Sequence, residues 1–157
     1  MRRAEKEVKD LEQLEEILRD CNTVRIGTQD AEGMFIVPVN YGYDLTEGQL
    51  TLYLHSAREG RKAAAFRRGG AVAFEMDCGH QLRGEGDTAC RYSYAYSSLT
   101  GAGAVTFLED REEKRRALEL LMLCQTGREG FSMPDAAIDQ TAVFRLDAQW
   151  FSAKGNR

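Results

Sequence analysis

Six consecutive residues, Leu50 to His55, alternate leucine with Thr51, Tyr53 and His55, and this period of two constrains the fold more than any other stretch of the chain. Successive side chains of a strand point to opposite faces. One face of the segment is therefore all leucine and belongs against a core, while the other is polar and ends in His55. The pattern breaks at Ser56, where an N-cap belongs. Glu59 stands three residues on, as in a capping box, and Arg58, Arg61 and Lys62 fall at i, i+3 and i+4 on one face of the helix expected over 58–68. Backbone N–H groups, the positive end of a helix dipole and several cations in one place favour an anion, a phosphate-ended cofactor in particular. A capped, solvated surface helix explains the same residues equally well, and Glu59 in a capping box would occupy a donor that a phosphate needs.

The rest of the chain continues the strand theme. A first helix around 10–21 carries the apolar stripe Leu11, Leu14, Ile17 and Leu18. Segments 23–28 and 34–41 flank the turn-forming DAEG and read as a hairpin, and Gly48 precedes the strand 49–55. After the 58–68 helix, with its small Ala63, Ala64 and Ala65 and a stop at Gly69, comes a strand over 71–77 and then a glycine-rich, polar passage through Gly86. A long strand over 94–108 contains Gly101 and Gly103, whose cost a bulge or a close ligand approach would relieve. Asp110 caps a charged helix with Ala117, Leu118, Leu121 and Met122 as its buried stripe, and a strand over 141–151 closes the pattern. Short antiparallel-type strands with peripheral helices describe an α+β, mainly β domain or a barrel, not a doubly wound sheet. With 157 residues and 43% hydrophobic content, residues 1–157 are expected to form one domain with a real core.

Several function classes are excluded on the same footing. No apolar run approaches the roughly 20 residues that span a bilayer, and the charged start has no apolar signal-peptide core, so a cytoplasmic protein without a membrane partner is expected. A net charge of −4 argues against a general nucleic-acid binder. Cys21, Cys78, Cys90 and Cys124 show no disulfide-framework spacing and read as reduced thiols. Gly101, Ala102 and Gly103 lack the third glycine of a dinucleotide fingerprint, and Gly60 is followed by Arg61 where a phosphate loop needs lysine. A metal site on Cys78, His80 and Cys90 lacks a fourth ligand and a common spacing, so no metal is expected. Trp150 and Phe151 read as core or partner-face aromatics, and Tyr92, Tyr94 and Tyr96 as alternate residues of one strand face.

Taken in order, MRRAEKEVKD, IVPVNYGY at 36–43, LYLHSAREGRK at 52–62, FEMD with His80 beyond it, CRYSYAYSSLTGAG at 90–103, FLEDREEKRRAL, and FRLD with a late SAKG resemble the pyridoxamine 5′-phosphate oxidase-like FMN-binding split-barrel family, specifically its nitroimidazole-resistance branch. The resemblance spans nearly the whole chain. It implies an antiparallel split β-barrel with peripheral helices, a homodimer with FMN at the subunit interface, and a flavin-dependent oxidoreductase acting on nitroimidazoles or related small acceptors. Carried over by residue, Ser56, Arg61 and Lys62, with Arg58 as a weaker contact, would hold the FMN phosphate. Val37, Pro38, Val39 and Asn40 would pass along the flavin ring, and Tyr96, Ser98 and Lys154 would approach the cofactor or the second subunit. His55 resembles the active-site histidine of that branch: it donates a proton or orients substrate, or else it supports the phosphate or caps a helix. A non-catalytic flavin- or haem-binding storage module on the same fold is the alternative. A pyridoxal or pyridoxamine phosphate enzyme is a third reading, weakened by the lack of a second phosphate cluster.

Overall fold

The computed structural model describes residues 4–156, so the first three residues of the MRRAEKEVKD match lie outside the described residues. The elements run β1 (Glu7–Val8), α1 (Leu11–Asp20), β2 (Val24–Asp30), β3 (Gly33–Val39), β4 (Tyr41–Thr46), β5 (Gln49–Ser56), α2 (Arg61–Arg68), β6 (Ala71–Arg83), β7 (Ser93–Phe107), α3 (Arg111–Thr126), α4 (Asp135–Gln140) and β8 (Ala142–Asn156). Every strand pairing is antiparallel, in the order β3-β2-β6-β7-β8-β5-β4. The short β1 pairs with the far half of β8, at Lys154 and Ala153.

The two ends of this order are neighbours in sequence. Only Asn40 separates the last residue of β3 from the first of β4, and consecutive Cα atoms are about 3.8 Å apart. A sheet whose outermost strands are tied so closely has to curl on itself. No ladder joins β3 to β4 among the described residues, so the resulting barrel stays split along that seam. Asn40 donates its side-chain N–H groups to the Asn22 carbonyl at 2.9 Å and to Gln125 at 3.1 Å, and Gln125 donates to the Tyr41 carbonyl at 3.0 Å. The mainly β, antiparallel architecture with peripheral helices is thus the expected one.

The alternation read in β5 is realised in space: Leu50, Leu52 and Leu54 are buried in the core beside Ile26, Phe74, Met76, Leu99, Phe144 and Leu146. Helix α1 starts on Asp10, whose carboxylate accepts from the Gln13 N–H at 3.1 Å, and it buries Leu14, Ile17 and Leu18, while Leu11 remains 53% exposed. Its last carbonyls converge on Tyr41. That fully buried hydroxyl lies 2.7 Å from the Leu18 carbonyl and 2.8 Å from that of Cys21, and it can donate to one at a time. Helix α3 begins on Asp110, which accepts from the Glu113 N–H, and stops at Gly127 in the left-handed region. It lies across β4 at backbone distance. A Cβ on Gly42 would sit 2.3 Å from the Leu121 nitrogen.

Several boundaries differ from the sequence reading, each for a local reason. The second helix begins at Arg61, not 58, because Gly60 takes φ 114° and ψ 165°, outside the helical region. Ser56 is therefore not an N-cap. It is the last residue of β5, paired with Ala142, and its hydroxyl donates to the Ala57 carbonyl at 2.7 Å. No capping box forms, and Arg58 lies outside the helix. Strand β6 runs on to Arg83 through a register shift between Cys78 and Gln81, where Gly79 adopts φ 69°. Strand β8 extends to Asn156, and its register shift opposite Ala102 and Gly103 supplies the anticipated bulge. The close neighbour at those glycines is protein: a Cβ on Gly103 would lie 2.2 Å from the Asp147 carbonyl oxygen, and one on Gly101 would strike the Phe74 ring. On α3 the buried residues are Lys114, Ala117 and Leu121, with Leu118 and Met122 only half-buried.

Candidate functional site

The junction of β5 and α2 gathers His55, Ser56, Arg58, Arg61 and Lys62, as the chain order requires. Its main structural surprise is the uncapped helix start. The N-cap is a glycine without a side-chain bond, and the first intrahelical bond at this end runs from the Ala64 N–H to the Gly60 carbonyl. The N–H groups of Arg61, Lys62 and Ala63 consequently have no helical acceptor. No side chain caps these donors, Glu59 included. Lys62 is half-buried and has no carboxylate partner among the described residues. Partial desolvation, and after it the charge of Lys62, lowers the pKa of His55, so the neutral imidazole is favoured although the side chain keeps solvent access.

The cations near this junction are unequal. Arg58 reaches only the Asp139 carbonyl, at 3.4 Å, and its own carbonyl accepts from Arg67 at 2.5 Å. Arg61 turns away from the helix start. Its Nε and Nη2 donate to the two carboxylate oxygens of Asp30 at 2.6 and 2.9 Å, and its guanidinium lies 4.2 Å from the Phe35 ring centroid. That bidentate bond holds the Asp30 carboxyl down to about 2. Asp30, Glu32 and Phe35 escape sequence reading because DAEG announces only a turn, and nothing local marks its aspartate as the partner of a residue far along the chain.

Val37, Pro38 and Val39 lie on β3, whose second edge is unpaired among the described residues, and Asn40 follows directly after it. Pro38 is exposed and costs the ladder nothing on an edge strand. The third group, Tyr96, Ser98 and Lys154, sits elsewhere. Ser98 pairs with Lys154 on one side and Asp77 on the other, while Tyr96 pairs with Asn156. All three are half-buried. Strand β7 is three places from β3 in the sheet order and β8 is four. At about 4.8 Å per strand these residues stand roughly 14–19 Å from the β3 edge. Ser56 pairs with Ala142 at the start of β8, whereas Lys154 lies near that strand's other end, roughly 40 Å away along it at strand rise, so one copy of the chain does not bring this group together with the β5–α2 junction.

The face carrying Ser98 and Lys154 is uncovered. Register places Ile36, Gly27, Ala73, Ala102 and Trp150 in one transverse row across β3, β2, β6, β7 and β8. Ile36 and Trp150 are 71% and 57% exposed, with small residues between them. Beside this row Arg25 bridges Glu75 at 3.0 Å and Asp77 at 2.5 Å, and His80 contacts the other Asp77 oxygen at 2.8 Å. The cysteines diverge: Cys78 packs against the core that contains Cys21, whereas Cys90 is exposed.

Fold and site geometry together define a split barrel with an uncapped helix start at the end of β5, and the comparisons agree with the fold. The family profile described as pyridoxamine 5′-phosphate oxidase matches residues 10–155, and the chain belongs to the pyridoxamine 5′-phosphate oxidase-like family. It is 33% identical to a candidate 5-nitroimidazole antibiotic resistance protein from Bacteroides thetaiotaomicron, with a TM-score of 0.78 over 94% of this chain and 85% of that one. A flavocytochrome from Azotobacter vinelandii shares the fold at 19% identity and TM-score 0.75, over 96% of this chain and 69% of that one. An FAD-binding protein from Mesorhizobium loti does so at 19% identity and TM-score 0.61, over 94% and 96%. No curated protein matches the chain. No helix among the described residues is long and apolar enough to cross a membrane.

Proposed function

We propose that this protein is a cytoplasmic FMN-dependent oxidoreductase of the nitroimidazole-resistance type, reducing nitroimidazoles or related small acceptors with electrons from a reduced nicotinamide or another reductant. The observation that carries this reading is the uncapped first turn of α2, where the backbone N–H groups of Arg61, Lys62 and Ala63 have no helical acceptor and the Lys62 side chain has no carboxylate partner among the described residues. Such a donor set suits a dianionic phosphate. The unpaired edge of β3 suits the other end of the same ligand, because its backbone groups can bond the polar edge of a flavin ring. Bound there, the flavin supplies the electron-transfer chemistry, and the protein supplies orientation and electrostatics. His55, held toward its neutral form, would orient an acceptor or support the phosphate.

The same proposal includes a homodimer with FMN at the subunit interface. Its support is the separation between the β3 edge and the group Tyr96, Ser98 and Lys154, together with the apolar row from Ile36 to Trp150. A second copy seated on that row would cover it and would bring its own Tyr96, Ser98 and Lys154 to the cofactor.

A visible spectrum of the purified protein, mass identification of any released chromophore, and titration with FMN and riboflavin test the reading. Tight FMN, weak riboflavin and nitroimidazole-dependent oxidation of the reductant are expected. Equal affinity for FMN and riboflavin would remove the phosphate site from the proposal, and bound flavin without turnover on any acceptor would remove the oxidoreductase.

A further inference from the structure

We propose that Asp30 and Arg61 form a clamp fixing the distance between the helix start of α2 and the open edge of β3, with Arg61 acting as a positioning residue and not as a phosphate ligand. This rests on the flavin site just described. The carboxylate is pre-set by its own turn, since Asp30 also accepts from the Glu32 N–H at 2.9 Å. Arg61 meets it in the two-point geometry that distinguishes arginine from a simple point charge. Phe35 beneath the guanidinium and Glu32 at 3.6 Å complete the enclosure. With two carboxylates around it, this guanidinium is a poor target for a further anion. Lys62, one residue on, has neither encumbrance.

The contact is also half of a pair. Arg68 lies seven residues after Arg61, on the same helix face, and its guanidinium donates to the Gln29 carbonyl. Both ends of α2 are thereby strapped to the end of the β2–β3 hairpin. Along β3, the Phe35 contact is three to five residues from Pro38 and Asn40, or roughly 10–17 Å at strand rise. A ligand with an anionic end at α2 and a planar ring beside Val37–Asn40 would span that interval, so loosening the clamp penalises engagement of both ends at once.

Calorimetric titration of the full chain with FMN and with riboflavin, on the parent, Asp30→Asn, Arg61→Gln and the double variant, decides the matter. Each single change is expected to weaken FMN about three- to fivefold, the range of a well-formed exposed ion pair, and the double change no more than either alone. Riboflavin, which engages only the ring end, should bind all four proteins equally. Arg61→Lys should fail to restore FMN, because it keeps the charge and loses the two-point bond. Tighter FMN in Asp30→Asn with a loss above tenfold in Arg61→Gln would make Arg61 a phosphate ligand and overturn the clamp. Additive losses, no change, or parallel losses of riboflavin would overturn it as well. Amide hydrogen exchange in the flavin-free proteins adds a separate readout: faster exchange at Met34–Ile36 in both single variants is expected, and unchanged exchange there would refute the contact. A parent that binds no FMN would defeat the flavin reading and the clamp's role in it, while the exchange data still report whether Asp30 and Arg61 hold the hairpin.

Discussion

The approach of α3 to β4 makes Gly42→Ala the most informative single substitution for the fold. A Cβ at position 42 would lie 2.3 Å from the Leu121 nitrogen, 2.5 Å from the Leu120 carbonyl carbon and 2.6 Å from the Leu121 Cα. These are backbone atoms in mid-helix and cannot swing aside as a side chain does. Bringing the shortest contact out to even 3.0 Å requires α3 to retreat by roughly 0.7 Å. That shift loosens the packing of Ala117 and Leu121, both buried on the helix face turned to the sheet. Overpacking of a tight site costs about 1–3 kcal/mol, and a backbone clash belongs at the upper end. At about 2–4 °C per kcal/mol for a chain of this size, a loss of about 2–3 kcal/mol lowers Tm by about 4–12 °C. Urea denaturation should show a lower midpoint with an unchanged slope, since the surface exposed on unfolding stays the same. A variant within about 1 °C of the parent would mean that β4 and α3 are not in backbone contact.

Replacing Lys62 with Gln should weaken FMN by about 1.5–3 kcal/mol, the value of a charge-assisted bond, and leave riboflavin unaffected in the same titration. Ala73→Arg places a charge in the middle of the row between Ile36 and Trp150, so light scattering should change from twice the chain mass to one chain mass; a parent already monomeric with full FMN binding would refute the dimer. The lowered pKa of His55 has a stability consequence whose sign is set by proton binding: the unfolded state takes up the proton at about pH 6.5 and the folded state only at lower pH. The contribution is present above about pH 6.5 and is lost as pH falls through the folded pKa, so His55→Gln should flatten this part of the parent's Tm-against-pH curve. If His55 donates a proton to the acceptor, the same variant should keep FMN and lose about 10²-fold in turnover. If it supports the phosphate, affinity should fall while turnover at saturating FMN holds.

What could be read from the sequence depended on whether the cause was local. The leucine alternation of β5 and the Asp110 cap were legible because each is decided within a few residues. Strand β4 was not, since Gly42 and Asp44 interrupt its pattern and its outer face answers to α3 far along the chain. The start of α2 was misplaced because Ser56 and Glu59 have capping spacing, yet the ladder to Ala142 keeps Ser56 in β5 and Gly60 turns the chain later. The site residues were named as a group, but their division into a rim cluster, an edge strand and a distant sheet face is a matter of strand order. Asp30 carried no signal at all, for its partner lies 31 residues away.

Strand β8 sits inside the sheet order, between β7 and β5, but follows both in sequence. During synthesis the ribosome therefore delivers the joining strand after everything it joins. Until it emerges, β3-β2-β6-β7 and β5-β4 are two separate ribbons, each with a bare edge awaiting the same partner. Chains stalled before residue 142 would present those edges to one another, where strand addition between copies competes with maturation. Any slowdown of translation just ahead of this point should therefore register as aggregation of nascent chains before it registers as lost folded protein.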